Sequence, residues 1–416
     1  MPKNKPTGDI NVPLSQVNYI IEAFGNEVET EPPGWATGKN PRPVKFLYRK
    51  NHLLIRDQDV PRLRDAGVSG KVVSHPVPGL ALVSVAQSGT KPTENLLTVL
   101  GRINKVLGPR VATPDHLMHI CPPSDPGTHC PATEPDSVPG DARPRPAVFR
   151  DGHRGSGVLV AVVDTGLLES APALHPWLRG VTGDFEPEVD PTTGLIPRYT
   201  AHGTFIASIV RAMAPGAEVR VGRIFERAGA RFESEVVQAL YQMMDSSPPD
   251  IISLSAGTHT WLNGGLLSFR FFIDGPLRQH RDTVLVAAAG NDGRNWKFSP
   301  AKMKGVISVG ALAPNGKKRA WFSNFGNWVR VYAPGQNLVH AYSRGTYHYY
   351  EHRRPDETFD GMARWSGTSF STPLVSGLIA ARMSETGETA REAARELLLV
   401  ADAHARPGVG PVLRPS

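Results

Sequence analysis

Residues 158–166 read VLVAVVDTG, and this run decides the fold class of the chain. Six consecutive apolar residues without polar alternation are typical of a short strand that is buried on both faces of a parallel sheet. Similar runs and helix-forming stretches follow in turn: apolar runs at 251–254, 284–289 and 306–309, and helices at 202–213, 234–244 and 371–383. Strands that alternate with helices predict an α/β fold, with a parallel sheet covered by helices on both faces.

The composition excludes several classes of protein. The 416 residues include 46 Lys and Arg against 39 Asp and Glu, a formal net charge of +7, and 40% of residues are hydrophobic. That content is ordinary for a globular protein and argues against wholesale disorder. The basic excess is spread along the chain, so no nucleic-acid partner is predicted. No apolar stretch approaches about 18 residues, so no membrane span is predicted.

The N-terminus and the cysteines bear on the compartment. No apolar segment follows the first lysines, which argues against a secretory signal peptide and makes a cytoplasmic location the default, with export by another route left open. Cys121 and Cys130 are the only cysteines. A loop disulfide and a metal site are alternatives, but only His129 lies nearby in sequence, which is too few ligands for zinc. Free thiols are expected if the protein is intracellular, and no metal or cofactor is predicted.

The chain divides into four regions. Residues 1–43 form an N-terminal extension to which the sequence assigns no firm structure, and residues 44–120 predict a small α+β domain. Its expected elements are a hairpin of 46–48 and 53–55, a short helix at 57–66, strands at 72–73 and 80–85, a helix at 93–107 and a last strand at 111–120. Residues 121–157 are rich in Pro and Gly and predict an extended linker. The α/β region covers 158–416.

Four polar residues stand where strands end or helices begin in the α/β region. Asp164 ends the first apolar run, and Asn291 follows the run at 284–289. His202 and Ser369 each lie at the start of an apolar helix. Each has an ordinary alternative role as a helix cap, a turn former or a structural histidine. In open α/β sheets, however, functional groups collect at the carboxyl ends of the strands.

The order Asp, His, Asn, Ser resembles the subtilisin-like (S8) serine peptidase family. Three segments carry the resemblance, which covers about 158–400: VAVVDTG at 160–166, HGT at 202–204 and GTSFSTP at 367–373. It implies a serine endopeptidase that acts on peptides or proteins through an acyl-enzyme. By this resemblance Ser369 is the nucleophile and His202 the general base and then acid. Asp164 orients the imidazole, and the Asn291 side chain and the Ser369 N–H form the oxyanion hole.

The resemblance also implies a substrate groove. One wall corresponds to Ser253, Leu254, Ser255, Ala256 and Gly257, and the opposite wall to Ala288, Ala289 and Gly290. The alternative for both segments is a core strand followed by a turn. Phe298 falls near the floor of the pocket for the P1 side chain, and Asp292 near its mouth, so small or basic P1 residues are expected. Residues 342–359 are interpreted as an inserted loop that faces the substrate. The alternative is a surface loop without a role in substrate binding. Calcium is common in the family, but no matching ligand loop is recognised.

The N-terminal domain resembles a protease propeptide. We therefore expect residues 44–120 to act as an intramolecular inhibitor, with self-cleavage somewhere in 121–157; the alternative is a permanently attached docking domain. Two other functions remain open at this point. An amine could resolve the acyl-enzyme in place of water, which would make a peptide ligase or macrocyclase. The chain could also be a catalytically silent module that binds peptides, although the intact polar residues argue against that function.

Overall fold

A computed structural model describes residues 12–32, 44–85, 94–120, 133–350 and 354–415. Cys121, Cys130 and the first part of the expected linker lie outside these residues. Numbered in chain order, the elements of the N-terminal region are α1 (Val12–Phe24), β1 (Val28–Glu31), β2 (Phe46–Arg56), β3 (Gly70–Val77), β4 (Leu80–Val85), α2 (Leu96–Leu107) and β5 (Ala112–His119).

The remaining elements follow the expected linker and build the larger part of the chain. They are β6 (Asp136–Ser137), β7 (Leu159–Asp164), β8 (Leu167–Leu168), α3 (Ala171–Leu174), β9 (Thr182–Gly183), β10 (Phe185–Glu186), α4 (His202–Met213), β11 (Glu218–Arg223), β12 (Ala230–Phe232), α5 (Glu233–Ser246), β13 (Ile251–Leu254), α6 (Leu267–Asp274), α7 (Pro276–Gln279), β14 (Val284–Ala288), β15 (Val306–Leu312), β16 (Val331–Pro334), β17 (Leu338–Tyr347), β18 (Glu357–Trp365), α8 (Thr368–Thr386) and α9 (Ala390–Ala403).

A parallel sheet forms the centre of the larger part, in the order β16-β15-β14-β13-β7-β11-β9. Val160 and Val162 on β7 face a core that includes α4 and α8, whereas Val163 faces a second core that includes α5 and α6. Strand β7 is apolar up to its last residue, Asp164, because both of its faces are covered in this way. The predicted α/β fold, with helices on both faces of a parallel sheet, is confirmed.

The N-terminal region forms an antiparallel sheet in the order β5-β2-β4-β3, with β1 also paired to β2. One face packs on α2 and on a 3₁₀ helix at Asp57–Ala66. Helix α2 begins at the Asn95 side chain, which accepts the N–H of Leu97 at 2.7 Å, and it ends at Gly108. The other face packs on α5 and α6 of the larger part. This α+β unit therefore shares a buried apolar seam with the α/β region.

The expected hairpin within residues 46–55 is wrong, because β2 is one continuous strand. Asn51 adopts a left-handed φ of 56°, and the register against β5 shifts between Tyr48 and Leu53. The polar triplet that suggested a turn is therefore accommodated as an irregularity inside a long strand that pairs along both edges.

Two segments without predicted structure are ordered against the larger part. Helix α1 places Phe24 edge-on to Phe232, with ring centroids 5.5 Å apart. In the described part of the expected linker, β6 pairs with β18, and Arg145 and Val339 exchange two backbone hydrogen bonds. The carbonyl of Thr133 also accepts the indole N–H of Trp365 at 2.6 Å. Residues 133–157 are therefore bound along the surface of the larger part.

The interpretation of 342–359 as an inserted loop is also wrong for the residues that the structure describes. Strands β17 and β18 form an antiparallel hairpin that leads directly into α8. Tyr342 is 1% exposed, and its ring lies 5.6 Å from that of Trp365, edge-on. Tyr347, Tyr349 and Phe359 of this segment are buried as well, whereas Tyr350 is exposed. Within the described ranges, none of the helices has both the length and the apolar character needed to cross a membrane.

Candidate active site

Asp164 and His202 form a buried pair at the carboxyl edge of the sheet. Asp164 is the last residue of β7 and His202 the first of α4, and both are 0% exposed. Asp164 Oδ1 lies 2.6 Å from His202 Nδ1 and also accepts the N–H of Thr165 at 2.8 Å. Nδ1 of the imidazole therefore faces the carboxylate, and Nε2 lies on the other side of the ring.

Aromatic rings hold the imidazole in place. Trp365 packs edge-on to His202 at 5.5 Å between ring centroids, and Phe370 lies at 5.4 Å. Within the part of the chain that the structure describes, Nε2 of His202 makes no hydrogen bond. Because Phe370 directly follows Ser369, these contacts bring the imidazole beside the first turn of α8.

Ser369 occupies that first turn and is 1% exposed. Its Oγ donates to the carbonyl oxygen of Ser255 at 3.4 Å, while Ser255 Oγ donates to the carbonyl oxygen of Ser369 at 2.8 Å. Pro373, four residues on, has no N–H to give to that carbonyl, so the Ser255 hydroxyl takes the place of a helical hydrogen bond. The backbone N–H groups of a first helical turn lack intrahelical partners and point toward incoming negative charge.

Asn291 follows β14 and contacts the same helix start. Its Oδ1 accepts both the N–H and the O–H of Thr368, each at 2.9 Å. Thr368 precedes Ser369, so the side-chain amide of Asn291 lies next to the serine. Since Oδ1 faces Thr368, the donor end of the amide, Nδ2, is turned to the other side.

The structure separates the five residues of the first predicted groove wall. Ser253 and Leu254 belong to β13, whose backbone is paired on both sides, with β7 and with β14. The chain leaves the sheet at Ser255, and Gly257 pairs instead with His119 from the N-terminal region. The backbone that can pair with an extended peptide therefore lies at Ser255–Gly257.

A strand of the N-terminal region lies in this groove. His119 and Gly257 exchange two backbone hydrogen bonds of 3.1 Å, and the N–H of Ile120 donates to Gly229 at 2.9 Å. On its other side β5 pairs with β12, with Leu117 opposite Phe232. The last residues of the N-terminal sheet thus run between two segments of the larger part as an added antiparallel strand.

The second predicted wall lies opposite, with Phe298 between the two walls. Ala288 ends β14, Ala289 donates its N–H to Val309, and Gly290 turns with a φ of 94°. A Cβ built on Gly257 would lie 2.4 Å from the Phe298 ring, and one built on Gly290 would lie 3.0 Å from it. The ring, only 2% exposed, therefore packs tightly against both glycines and fills the space between the walls.

Asp292 does not form an acidic mouth to this space. It is 5% exposed, and its Oδ2 lies 3.1 Å from His259 Nε2 and 2.7 Å from Asn324 Nδ2. Burial opposes protonation of His259, but the carboxylate of Asp292 outweighs it and raises the pKa of the imidazole. Asp292 is thus buried and already engaged by two side chains, which removes the reason for expecting basic P1 residues.

Sequence reasoning missed the polar contacts that hold β5 in place. Asp115 accepts the N–H of Ser234 at 3.1 Å and its O–H at 2.8 Å, and so caps the first turn of α5 from strand β5. Beside it, His116 Nδ1 lies 2.6 Å from Glu233 Oε1, with both side chains 0% exposed. Burial raises the pKa of Asp115 to about 7, against the opposing charge of Arg49. The available signal was the pair of adjacent ionisable residues in the middle of a predicted strand.

Comparison with known proteins agrees with this geometry. The model of the subtilase family matches residues 155–409, well over half of the chain. The chain belongs to the subtilase family. Among curated relatives, the thermophilic serine proteinase of Bacillus sp. strain AK1 is 32% identical over 55% of this chain and 53% of its own length. Subtilisin NAT of Bacillus subtilis subsp. natto is 29% identical over 58% and 59%. This subtilase therefore spans a little over half the length of the curated relatives it matches.

A solved structure matches over more of the chain. Fervidolysin from Fervidobacterium pennivorans, a keratinolytic enzyme related to subtilisin, aligns with a TM-score of 0.59 at 19% identity. The alignment covers 88% of this subtilase and 60% of fervidolysin, so the shared fold extends well beyond residues 155–409. Among the described residues, no group of three or more His, Cys, Asp or Glu side chains is arranged to hold a metal ion.

Proposed function

We propose that this subtilase is a serine endopeptidase that hydrolyses peptide bonds through an acyl-enzyme. The observation that carries the proposal is the buried Asp164–His202 pair, at 2.6 Å, packed through Phe370 against the helix start that holds Ser369. The curated relatives named as a serine proteinase and a subtilisin support the same reaction class.

In the first half of the reaction, Ser369 Oγ attacks the carbonyl carbon of the scissile bond while His202 Nε2 takes the hydroxyl proton. Asp164 stays ionised and stabilises the imidazolium that forms. The carbonyl oxygen becomes an oxyanion, which accepts hydrogen bonds from Asn291 Nδ2 and the backbone N–H of Ser369. The C–N bond then breaks, the imidazolium gives its proton to the leaving amine, and the acyl group stays on Ser369.

The second half uses water in place of the serine. His202 Nε2 takes a proton from the water as its oxygen attacks the ester carbon. The ester C–O bond breaks, and the proton returns to Ser369 Oγ. Before attack, Oγ must turn from the Ser255 carbonyl toward Nε2, a rotation about a single side-chain bond between staggered positions. Groups in resting sites commonly close their hydrogen bonds only when substrate is bound.

We also propose that the N-terminal region inhibits this site within the same chain. A peptide substrate in extended conformation would need the backbone groups of Gly257 and Gly229, and β5 holds both. Substrate and β5 therefore compete for one groove. The substrate is accordingly an extended segment of peptide or protein, bound mainly through its main chain.

The reaction is tested with the Ser369→Ala chain, with Ser371→Ala as a matched control. Ser371 lies on the same helix and donates its hydroxyl to Ala333 at 3.1 Å, away from His202. We expect Ser369→Ala to lose fluorophosphonate labelling and essentially all turnover of a fluorogenic peptide, and Ser371→Ala to keep both. Products whose summed mass exceeds that of the substrate by about 18 Da, the mass of one water, identify hydrolysis, whereas ligation adds no such mass. Hydrolysis that persists in Ser369→Ala would contradict the proposal.

Inhibition is tested by following the mass and activity of the wild-type and Ser369→Ala chains over time. We expect the wild type to be cut within 121–157 and to gain activity as it is cut, while Ser369→Ala stays intact. A wild-type chain that stays whole and is fully active from the start would leave β5 as part of a permanent docking domain.

A further inference from the structure

A second buried carboxyl group lies beside the Asp164–His202 pair, and the reaction described above does not use it. Glu186 ends β10, which pairs with β8 just after the segment 164–166. The residue is 9% exposed. Gly166 leaves room for it, because a Cβ on Gly166 would lie 3.0 Å from Glu186 Cβ. The glycine of the DTG segment thus permits the carboxyl group to approach.

Glu186 contacts the neighbours of both members of the pair. Its Oε1 accepts the N–H of Ala201 at 3.0 Å and the hydroxyl of Thr165 at 3.2 Å. Thr165 follows Asp164 and donates its own N–H to the Asp164 carboxylate at 2.8 Å. Ala201 precedes His202. One carboxyl oxygen therefore joins the two chain segments from which Asp164 and His202 project.

The backbone on the histidine side needs such support. Ala201 has a φ of 67°, in the left-handed region, which costs an alanine roughly 1 kcal/mol or more. The Thr165 hydroxyl that donates to Glu186 also accepts the N–H of Gly203, on the other side of His202, at 3.2 Å. The hydrogen bonds of Glu186 and Thr165 thus bracket the histidine on both sides.

We propose that Glu186 is a positioning residue for His202, its carboxyl group setting the separation and orientation of the Asp164–His202 pair by joining Thr165 to Ala201. The inference rests on the proposed endopeptidase function, for which His202 is the base.

Because Glu186 changes its charge near neutral pH, the positioning role predicts a particular pH dependence of the reaction rate. Burial and the charge of Asp164 raise the pKa of Glu186 to about 8, against the hydrogen bonds from Ala201 and Thr165 and the charge of Arg223. Three ionisable groups on neighbouring strands face Glu186: Asp164 on β7, Arg223 on β11 and Tyr342 on β17. Two more, Tyr19 of α1 and Glu226, line the same cavity of about 160 Å³ as Glu186. The group is thus a neutral acid at pH 7, and above pH 8 it adds a second negative charge that favours the imidazolium.

The test compares wild type, Glu186→Gln, Glu186→Ala and the control Glu188→Gln, each expressed as the full chain and assayed once mass shows that cleavage within 121–157 is complete. Glu188 lies on the same segment but accepts from Arg344 and Ser170, away from the pair. Glutamine keeps an acceptor oxygen, so Glu186→Gln should match wild-type kcat at pH 7 within about threefold. Alanine should lower kcat roughly 10- to 100-fold with KM little changed. Raising the pH from 7 to 9.5 should raise the ratio of wild-type to Glu186→Gln rates about three- to tenfold, with no such change for Glu188→Gln.

A second measurement does not depend on turnover. In the Ser369→Ala background, the pH dependence of the NMR signal of the His202 Nδ1 proton should include a shift near pH 8 that adding Glu186→Gln removes. A rate ratio that does not change with pH, together with a proton signal that has the same pH dependence with and without Glu186→Gln, would overturn the positioning role. Loss of turnover in Glu186→Ala only in step with unfolding would also overturn it. A wild-type chain without turnover that still shows the shift would count against the endopeptidase alone.

Discussion

Phe298 should decide which side chain the enzyme accepts at P1. Its ring lies between the glycines of the two groove walls, at distances that leave no space for a large side chain. We expect Ala at P1 to be preferred over Phe in the wild type. Replacing Phe298 by a smaller residue should open the space and invert the preference.

The size of the inversion follows from the surface that becomes available. Fully burying a phenylalanine side chain yields about 1.5–3 kcal/mol. Since about 1.4 kcal/mol corresponds to a factor of ten, the ratio of kcat/KM for P1 Phe over P1 Ala should rise roughly 10- to 100-fold in Phe298→Ala. Phe298→Leu removes less of the ring volume and should give a smaller rise.

The assay uses two tetrapeptide substrates that differ only at P1. Because Phe→Ala in a core costs about 3–5 kcal/mol of stability, the thermal midpoint must be measured alongside. The matched control is Phe269→Leu, a fully buried ring on α6 away from the groove. A wild type that already prefers P1 Phe, or variants whose ratio follows the control, would refute the assignment of Phe298 to the P1 pocket.

Two further predictions concern the oxyanion and the seam. Asn291→Ala should lower kcat about 10²–10³-fold with KM nearly unchanged, a range that itself comes from subtilisin. The control is Asn295→Ala, an exposed residue of the same loop, which should have little effect on kcat. Equal losses of kcat in the two variants would argue against an oxyanion role for Asn291. Asp115 has a docked pKa of about 7 against about 3.9 when solvated, so docking of β5 should be strongest below about pH 4 and weaken as the pH rises through 7. Hydrogen exchange of β5 amides in the Ser369→Ala chain, corrected for intrinsic rates, should report this loosening, and Asp115→Asn should flatten it; a flat wild-type profile would count against it.

Local patterns were sufficient for the α/β region. The strand that ends at Asp164 and the helix that begins at His202 were predicted to within a residue, because buried strands and helix starts are encoded in consecutive residues. The family was confirmed on motifs of the same kind. The roles of the four polar residues stay predictions, although the structure brings their side chains to one edge of the sheet.

Pairing between distant segments could not be predicted in the same way. Strand β2 was divided into two because nothing within 46–55 indicates that Asn51 is an irregularity of a paired strand. The position of β5 depends on β12, more than a hundred residues away, and that of Glu186 depends on pairing with β8. Such contacts are made by the folded chain as a whole, and a single sequence carries no local mark of them.

In the proposed inhibition, the strand in the groove acts as a tethered competitor of the substrate. It leaves the groove at Ile120, and the chain is anchored again at Thr133, on the hairpin that precedes the serine. A ligand on so short a tether acts at an effective concentration of about millimolar. After one cut between these anchors, the N-terminal region could dissociate and would have to rebind from solution. At micromolar protein its concentration would be about a thousandfold below the effective concentration in the uncut chain, and substrate would displace it more easily. Dilution should then activate the cut protein but not the uncut chain. The inhibition that remains after cleavage would therefore depend on the concentration of the enzyme.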